Sequence, residues 1–260
     1  MNIKTLEELS LNAWPSLKTS LYDGWVLRFA DGYTKRANSV SPLYQSTESL
    51  DKKIDECEIQ YGLKNLPTIF KITQESYPEY IDKRLEDRGY RKLDETSVRI
   101  LDLENYHYRG FSDVVAESQF NESWINGYFK CSNTMDMGTQ ISAKRLLDNI
   151  YGKVICVSKH IDGQIVGCGF GAIERDCIGI FDIVVDKCFR GNGYGKDIMD
   201  GILSEAKMLG VKTAYLAVVV GNQPAENLYS KIGFTEVYRY WYRRLGTKYI
   251  SKNIDSMENV

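Results

Sequence analysis

A glycine-rich turn between the end of an apolar strand and the start of an amphipathic helix constrains this chain more than any other stretch. It reads Val185-Asp186-Lys187-Cys188-Phe189-Arg190-Gly191-Asn192-Gly193-Tyr194-Gly195-Lys196. The apolar run 178–185 before it is expected as a strand. Beyond it Ile198, Ile202, Leu203 and Ala206 share one helical face, and Gly210 closes the helix. Glycines in such a turn admit positive φ and leave backbone N–H groups uncovered. Bare amides at a helix N-terminus form an anion nest, so a phosphate or pyrophosphate is the natural ligand.

Two common phosphate motifs fail here. A dinucleotide fold needs G-x-G-x-x-G, but Lys196 takes the third position and no acidic strand end follows at the required distance. A P-loop needs G-x-x-x-x-G-K-[ST], and Asp197 follows Lys196. The turn does match R/Q-x-x-G-x-G/A at Arg190, Gly193 and Gly195. Downstream, Asn222, Ala225, Leu228, Tyr229, Gly233 and Phe234 match N-x-x-A-x-x-L-Y-x-x-x-G-F. On these two segments the chain resembles the GCN5-related N-acetyltransferase (GNAT) superfamily over about 110–245.

The resemblance implies an α/β fold with a mixed sheet, mainly antiparallel in the catalytic part, and acetyl-CoA as cosubstrate without a metal. It implies that the backbone of Ile183, Val184 and Val185 pairs with the pantetheine amides and polarises the thioester carbonyl. One donor placed on that developing oxyanion is typically worth about 3 to 4 kcal/mol. Arg190, Gly191, Asn192, Gly193, Tyr194, Gly195 and Lys196 are expected to wrap the pyrophosphate, and Asn222 to touch the cofactor side. Tyr229 falls where the family places a general acid. An ordinary phenol, with a pKa of about 10, stays protonated at neutral pH and can protonate a departing thiolate. A primary amine acceptor, small molecule or protein, arrives mostly protonated and must lose a proton. Asp182 is the leading base candidate, with Glu174 and Asp176 behind it and bulk water as an alternative; Asp182 reads equally well as a structural carboxylate.

The remaining 1–105 are expected as a smaller, degenerate GNAT-like half-domain before a catalytic domain over 106–246 and a polar tail over 247–260. Leu85-Glu86-Asp87-Arg88-Gly89-Tyr90 parallels Tyr229-Ser230-Lys231-Ile232-Gly233-Phe234, a helix end before a strand. Arg28, Tyr33, Thr34, Arg36, Asn38 and Ser39 are similar to a module that precedes the domain in some bacterial members. The first half lacks the Arg-x-x-Gly-x-Gly turn and has Leu85 where a copy needs the tyrosine, so no second CoA site is expected. This module is expected to shape the acceptor site or to form a homodimer surface; alternatively Trp14, Trp25 and Phe29 build an independent core. In detail, strands are expected at 24–30 and 34–43 about an Asp31-Gly32 turn, then a helix at 46–61 closed by Gly62. A hairpin is expected about Asp162-Gly163 and a helix at 224–231.

Composition narrows the function classes. The chain has 260 residues, 43% of them hydrophobic, enough for one large or two ordinary cores. Lys and Arg total 33 against 35 Asp and Glu, so no global positive field draws nucleic acid or an anionic membrane surface. Nowhere do roughly 18 consecutive apolar residues occur, and the first residues lack a signal-peptide pattern. Cys57, Cys131, Cys156, Cys168, Cys177 and Cys188 form no C-x-x-C pair, and neither His107 nor His160 completes a zinc site. Reduced thiols in the cytoplasm are expected. The competing class is a non-catalytic acyl-CoA-binding sensor or interaction module, which keeps the nest without the chemistry.

Overall fold

Strands and helices alternate along the computed structural model, which describes residues 1–107 and 113–246. In chain order they are α1 (Ile3–Ala13), β1 (Lys18–Tyr22), β2 (Trp25–Phe29), β3 (Val40–Ser41), α2 (Leu50–Gly62), β4 (Ile69–Ile72), α3 (Ile81–Asp87), β5 (Arg91–Asp102) and β6 (Val114–Glu117). There follow α4 (Glu122–Ser132), α5 (Met137–Asp148), β7 (Lys153–Ile161), β8 (Gln164–Glu174), β9 (Cys177–Val185), α6 (Tyr194–Met208), β10 (Thr213–Val219), α7 (Gln223–Ile232) and β11 (Thr235–Arg244). The expected tail, 247–260, lies outside the described residues.

Contacts divide the chain into two units that interleave along the sequence: Met1–Pro15 with Ser97–Val237, and Ser16–Thr96 with 238–246. Both are α/β with mixed strand directions, the class the resemblance implies. The expected division at 105 follows chain order; the units do not, since α1 packs with the later half and the end of β11 with the earlier one.

In the larger unit β10-β9-β8-β7-β6 lie side by side, parallel between β10 and β9 and antiparallel thereafter. The β7–β8 hairpin closes over Asp162 and Gly163, at φ 49° and 75°, as its dipeptide predicts. On one face α6 buries Ile198, Met199, Ile202, Leu203 and Ala206. It approaches the β8 backbone directly at Gly169, where a Cβ would meet Ile183 Cδ1 at 2.3 Å and Ile198 Cγ2 at 2.9 Å. The other face carries Phe170 and Phe181, stacked at 5.5 Å, with Trp14 over them at 6.0 and 5.7 Å. Trp14 therefore does not share a core with Trp25 and Phe29. Helix α1, absent from the sequence expectations, is capped by Asn2, which accepts from the Thr5 N–H at 2.8 Å, and buries Leu6, Leu9 and Ala13.

In the smaller unit the strand order is β1-β2-β3-β4, with 238–244 of β11 antiparallel to β4. One tight hairpin turns at Asp23-Gly24, φ 40° and 81°, and the expected Asp31-Gly32 turn also forms, φ 52° and 76°, with the Tyr33 N–H bonding to Ala30 O at 2.9 Å. The Asp23 carboxylate accepts from the N–H groups of Thr47 and Glu48, which holds that turn from outside the hairpin. The strand expected at 34–43 shrinks to β3 after a 3-10 turn at Lys35–Ala37. The cause is local competition for the backbone. Asn38 Oδ1 accepts from the N–H groups of Ala30 and Gly32, its Nδ2 donates to Thr34 O, and Thr34 Oγ1 accepts from the Ala37 N–H. Arg28 Nη1 donates to Arg36 O. The motif from Arg28 to Asn38 is thus a self-bonded loop. Trp25, Phe29, Ile54, Cys57, Tyr61, Phe70, Leu85 and Tyr90 belong to the core beneath it.

Candidate active site

The site is built where β9 changes character. Cys177 to Phe181 are buried, whereas Asp182 to Val185 are only half-buried. Pairing with β10 runs from Thr213↔Cys177 to Leu216↔Ile180, so Asp182 to Val185 lie beyond the last paired residue. Pairing with β8 passes from Phe170↔Phe181 to Cys168↔Val184, so Gly169 faces both Asp182 and Ile183. That extra residue is a β-bulge, and Asp182 takes the left-handed conformation within it at φ 51°. Two parallel strands therefore part, with backbone edges exposed between them. Ile183, Val184 and Val185 lie on the parting stretch.

The turn that follows is tied down at its start and open at its centre. Asp186 Oδ1 accepts from the Cys188 N–H at 2.9 Å, and Arg190 Nε donates to the Val185 carbonyl at 3.0 Å. Asn192 Nδ2 donates to Phe189 O at 3.1 Å. Gly191 and Gly193 both stand at φ 84° with no atom within 4 Å of a built Cβ, so the backbone conformation and not crowding demands glycine. The Lys196 and Asp197 N–H groups bond back to Gly193 O. Among the described residues the N–H groups of Gly191, Asn192, Gly193, Tyr194 and Gly195 have no protein acceptor. This run of amides at the head of α6 is a nest for an anion. Lys159, 3% exposed, pairs with Asp197 at 2.9 Å and stands 5.1 Å from the Tyr194 ring centroid. Lys196 pairs with the buried Asp200, which also accepts from Tyr106 Oη at 2.7 Å.

The other expected residues fall on three sides. Tyr229, half-buried on α7, packs against the larger unit's core and edge-on to Phe234 at 6.1 Å. Asn222 caps α7, its Oδ1 accepting from the Ala225 N–H at 3.4 Å, so its side-chain oxygen serves the helix. Asp182 points to α4, where Tyr128 Oη donates to its Oδ2 at 2.7 Å. Glu174 and Asp176 flank the opposite end of β9, about 20 Å of strand from Asp182 at ~3.3 Å per residue. Glu174 there accepts from Asn12 at 3.0 Å. Tyr128 is not among the sequence candidates; its signal is the i,i+4 spacing to Trp124, which gives both rings one face of α4. Among the described residues no cluster of three or more His, Cys, Asp or Glu could hold a metal, and no helix is long and apolar enough to cross a membrane.

The comparisons with known proteins agree with this geometry. The family described as "Probable histone acetyltransferase Rv0428c C-terminal" matches residues 1–243. The chain is similar to the "Uncharacterized N-acetyltransferase YobR" of Bacillus subtilis, 26% identical over 252 residues, covering 93% of this chain and 98% of that protein. A shorter match is to the "[Ribosomal protein bS18]-alanine N-acetyltransferase" of Haemophilus ducreyi, 29% identical over 92 residues; it spans 35% of this chain and 63% of the relative. Among solved structures, a GCN5-related N-acetyltransferase from Kribbella flavida superposes with a TM-score of 0.72 at 12% identity, covering 94% of this chain and 96% of that one. With a family match over nearly its whole length, the chain belongs to the Rv0428c C-terminal family and, through it, to the GNAT superfamily.

Proposed function

We propose that this protein transfers the acetyl group of acetyl-CoA to a primary amine. The observation that carries the reading is the parting of β9 from β10 directly before a nest of five unpaired amides. A slot between strands suits an extended amide-bearing arm, and the nest suits a pyrophosphate; CoA joins the two. Ile183, Val184 and Val185 line the arm with backbone. Arg190 through Lys196 hold the pyrophosphate, and Asn222 stands at the cofactor side.

Asp182 takes one proton from the incoming ammonium, leaving a neutral amine. The amine nitrogen bonds to the acetyl carbon as the carbon–sulfur bond breaks. Tyr229 gives its phenolic proton to the leaving sulfur and regains one, through water, from the new amide nitrogen. Asp182 then returns its proton to solvent. Acetamide and free thiol are the products. An amine acceptor is supported by relatives named as N-acetyltransferases, one of them for a ribosomal-protein alanine. Both protein and small-molecule amines fit this chemistry. Six free cysteines fit a reducing, cytoplasmic setting.

We further read the smaller unit as a degenerate copy. Tyr90 N–H bonds to Leu85 O at 3.0 Å after Gly89 at φ 86°, and Phe234 N–H bonds to Tyr229 O at 3.0 Å after Gly233 at φ 113°. These are the same helix-ending cap.

Calorimetry of acetyl-CoA with the intact protein and with Gly193→Asp tests the reading, followed by thiol release across a panel of amines. Binding lost in the variant, with amine-dependent thiol release, is expected. Binding without turnover on any amine favours a non-catalytic acyl-CoA sensor, and no binding overturns the proposal.

A further inference from the structure

Asp182 sits at a position where a side chain is hard to aim. Its backbone is left-handed within a bulge, and a carboxylate has two torsions of its own to fix. A contact from α4 limits them: Tyr128 Oη donates to Asp182 Oδ2 at 2.7 Å.

Tyr128 is itself held on several sides. Asn121 caps α4 by accepting from the Trp124 N–H at 2.8 Å, which fixes where the helix begins. Trp124, 1% exposed, anchors that helix to the sheet through its indole N–H, which donates to Val157 O at 3.0 Å. The Tyr128 ring lies over the Trp124 ring at 5.5 Å and 11°, and against Phe129 at 5.6 Å. Tyr128 is 7% exposed, so its hydroxyl cannot swing to solvent without unstacking. The phenol is a stiff arm from the sheet's aromatic layer to the bulge. Asp182, by contrast, is half-buried beside the parting strands.

We infer that Tyr128 is a positioning residue: its hydroxyl sets the orientation of the Asp182 carboxylate that accepts the proton of the incoming ammonium. The inference rests on Asp182 being the base. A hydrogen bond donated to one carboxylate oxygen restricts rotation of the whole group, so the carboxylate meets the acceptor from a fixed direction. In this reading acetyl-CoA is held by the nest and the Ile183-to-Val185 edge, and Tyr128→Phe alters neither of them.

Kinetics and acetyl-CoA binding are measured for the whole protein as wild type, Tyr128→Phe, Asp182→Asn and the double variant, with melting temperatures in parallel. Tyr128→Phe keeps the stacked ring. Its kcat is expected to fall about tenfold with the acetyl-CoA dissociation constant unchanged. Added to Asp182→Asn, it is expected to cause no further loss, because a positioning residue has nothing left to position. Full kcat in Tyr128→Phe beside a slow Asp182→Asn overturns the inference alone, and so do losses that multiply in the double variant. Wild-type turnover in Asp182→Asn overturns the base assignment and the inference with it.

Discussion

The ammonium of Lys159 on β7 meets the carboxylate of Asp197 in the first turn of α6 at 2.9 Å, with the lysine side chain only 3% exposed. An acidic residue one turn inside a helix suits the macrodipole, but here it also stands next to the amides proposed to hold the pyrophosphate. Lys159 neutralises it. Lys159→Met is therefore expected to weaken acetyl-CoA binding roughly tenfold, or about 1.4 kcal/mol, with kcat at saturation little changed. Lys159→Arg should retain most of the affinity. Calorimetry of the two variants checks both statements.

Gly169→Ala tests whether the close seat of α6 on β8 supports the bulge. A Cβ there would lie 2.3 Å from Ile183 Cδ1, and Ile183 is on the parting stretch of β9. Overpacking of this kind costs typically 1 to 3 kcal/mol, so the variant's melting temperature is expected to fall by several degrees, about 2 to 8 °C. Acetyl-CoA affinity should fall with it, because relief of the clash moves Ile183. Thermal unfolding with and without acetyl-CoA reads both effects.

Tyr229→Phe removes a hydroxyl while keeping the ring that packs against Phe234. Turnover is expected to fall by about 100-fold or more, the usual contribution of a general acid, with acetyl-CoA affinity nearly intact. Unchanged thiol release would remove Tyr229 from the chemistry.

In the smaller unit Arg243 grips Asp82 with two hydrogen bonds, 2.8 and 2.9 Å, and Trp241 Nε1 adds a third at 2.7 Å. Burial disfavours the Asp82 charge, but these donors outweigh it and hold the carboxyl below its ordinary value. A lowered folded-state value stabilises the protein above the unfolded value of about 3.9, and that contribution is lost as the pH falls through the folded one. Asp82→Asn is expected to cost roughly 1.5 to 3 kcal/mol at neutral pH, the range for hydrogen bonds to charged groups. It should also flatten the fall in melting temperature as the pH drops below about 4, where this contribution is lost. Unfolding curves across that range decide it.

Features written in short local patterns are legible in the sequence. The turn from Arg190 to Gly195, the face of α6, the Asp162-Gly163 hairpin and the cap at Gly233 each depend on residues within a few positions of one another. The parting of β9 from β10 is anticipated only through family resemblance, because where two strands separate depends on both. The bulge at Asp182 needs Gly169 on the neighbouring strand, and nothing in the apolar run around it marks one residue as extra. Asp182 can accordingly be named from the sequence but not aimed. The strand expected at 34–43 fails for a different reason: Asn38 and Thr34 commit their side chains to the backbone, and propensity does not register that competition. Helix α1 carries a readable pattern, Asn2 before Leu6, Leu9 and Ala13. Its membership in the larger unit is not readable, since Trp14 meets Phe170 and Phe181 more than 150 residues later.

The interleaving of the two units bears on how the chain matures during synthesis. The segment Ser16–Thr96 is made well over a hundred residues before the strand that pairs with β4 through Arg244↔Ile69 and Trp241↔Ile72. Chains with consecutive domains finish the first while the second is still being translated. Here the early unit must wait with the β4 edge uncovered, an exposed strand of the kind that pairs with wrong partners. The exposure of that edge therefore lasts until β11 has been made, which ties the folding of the early segment to the synthesis of a strand far along the chain.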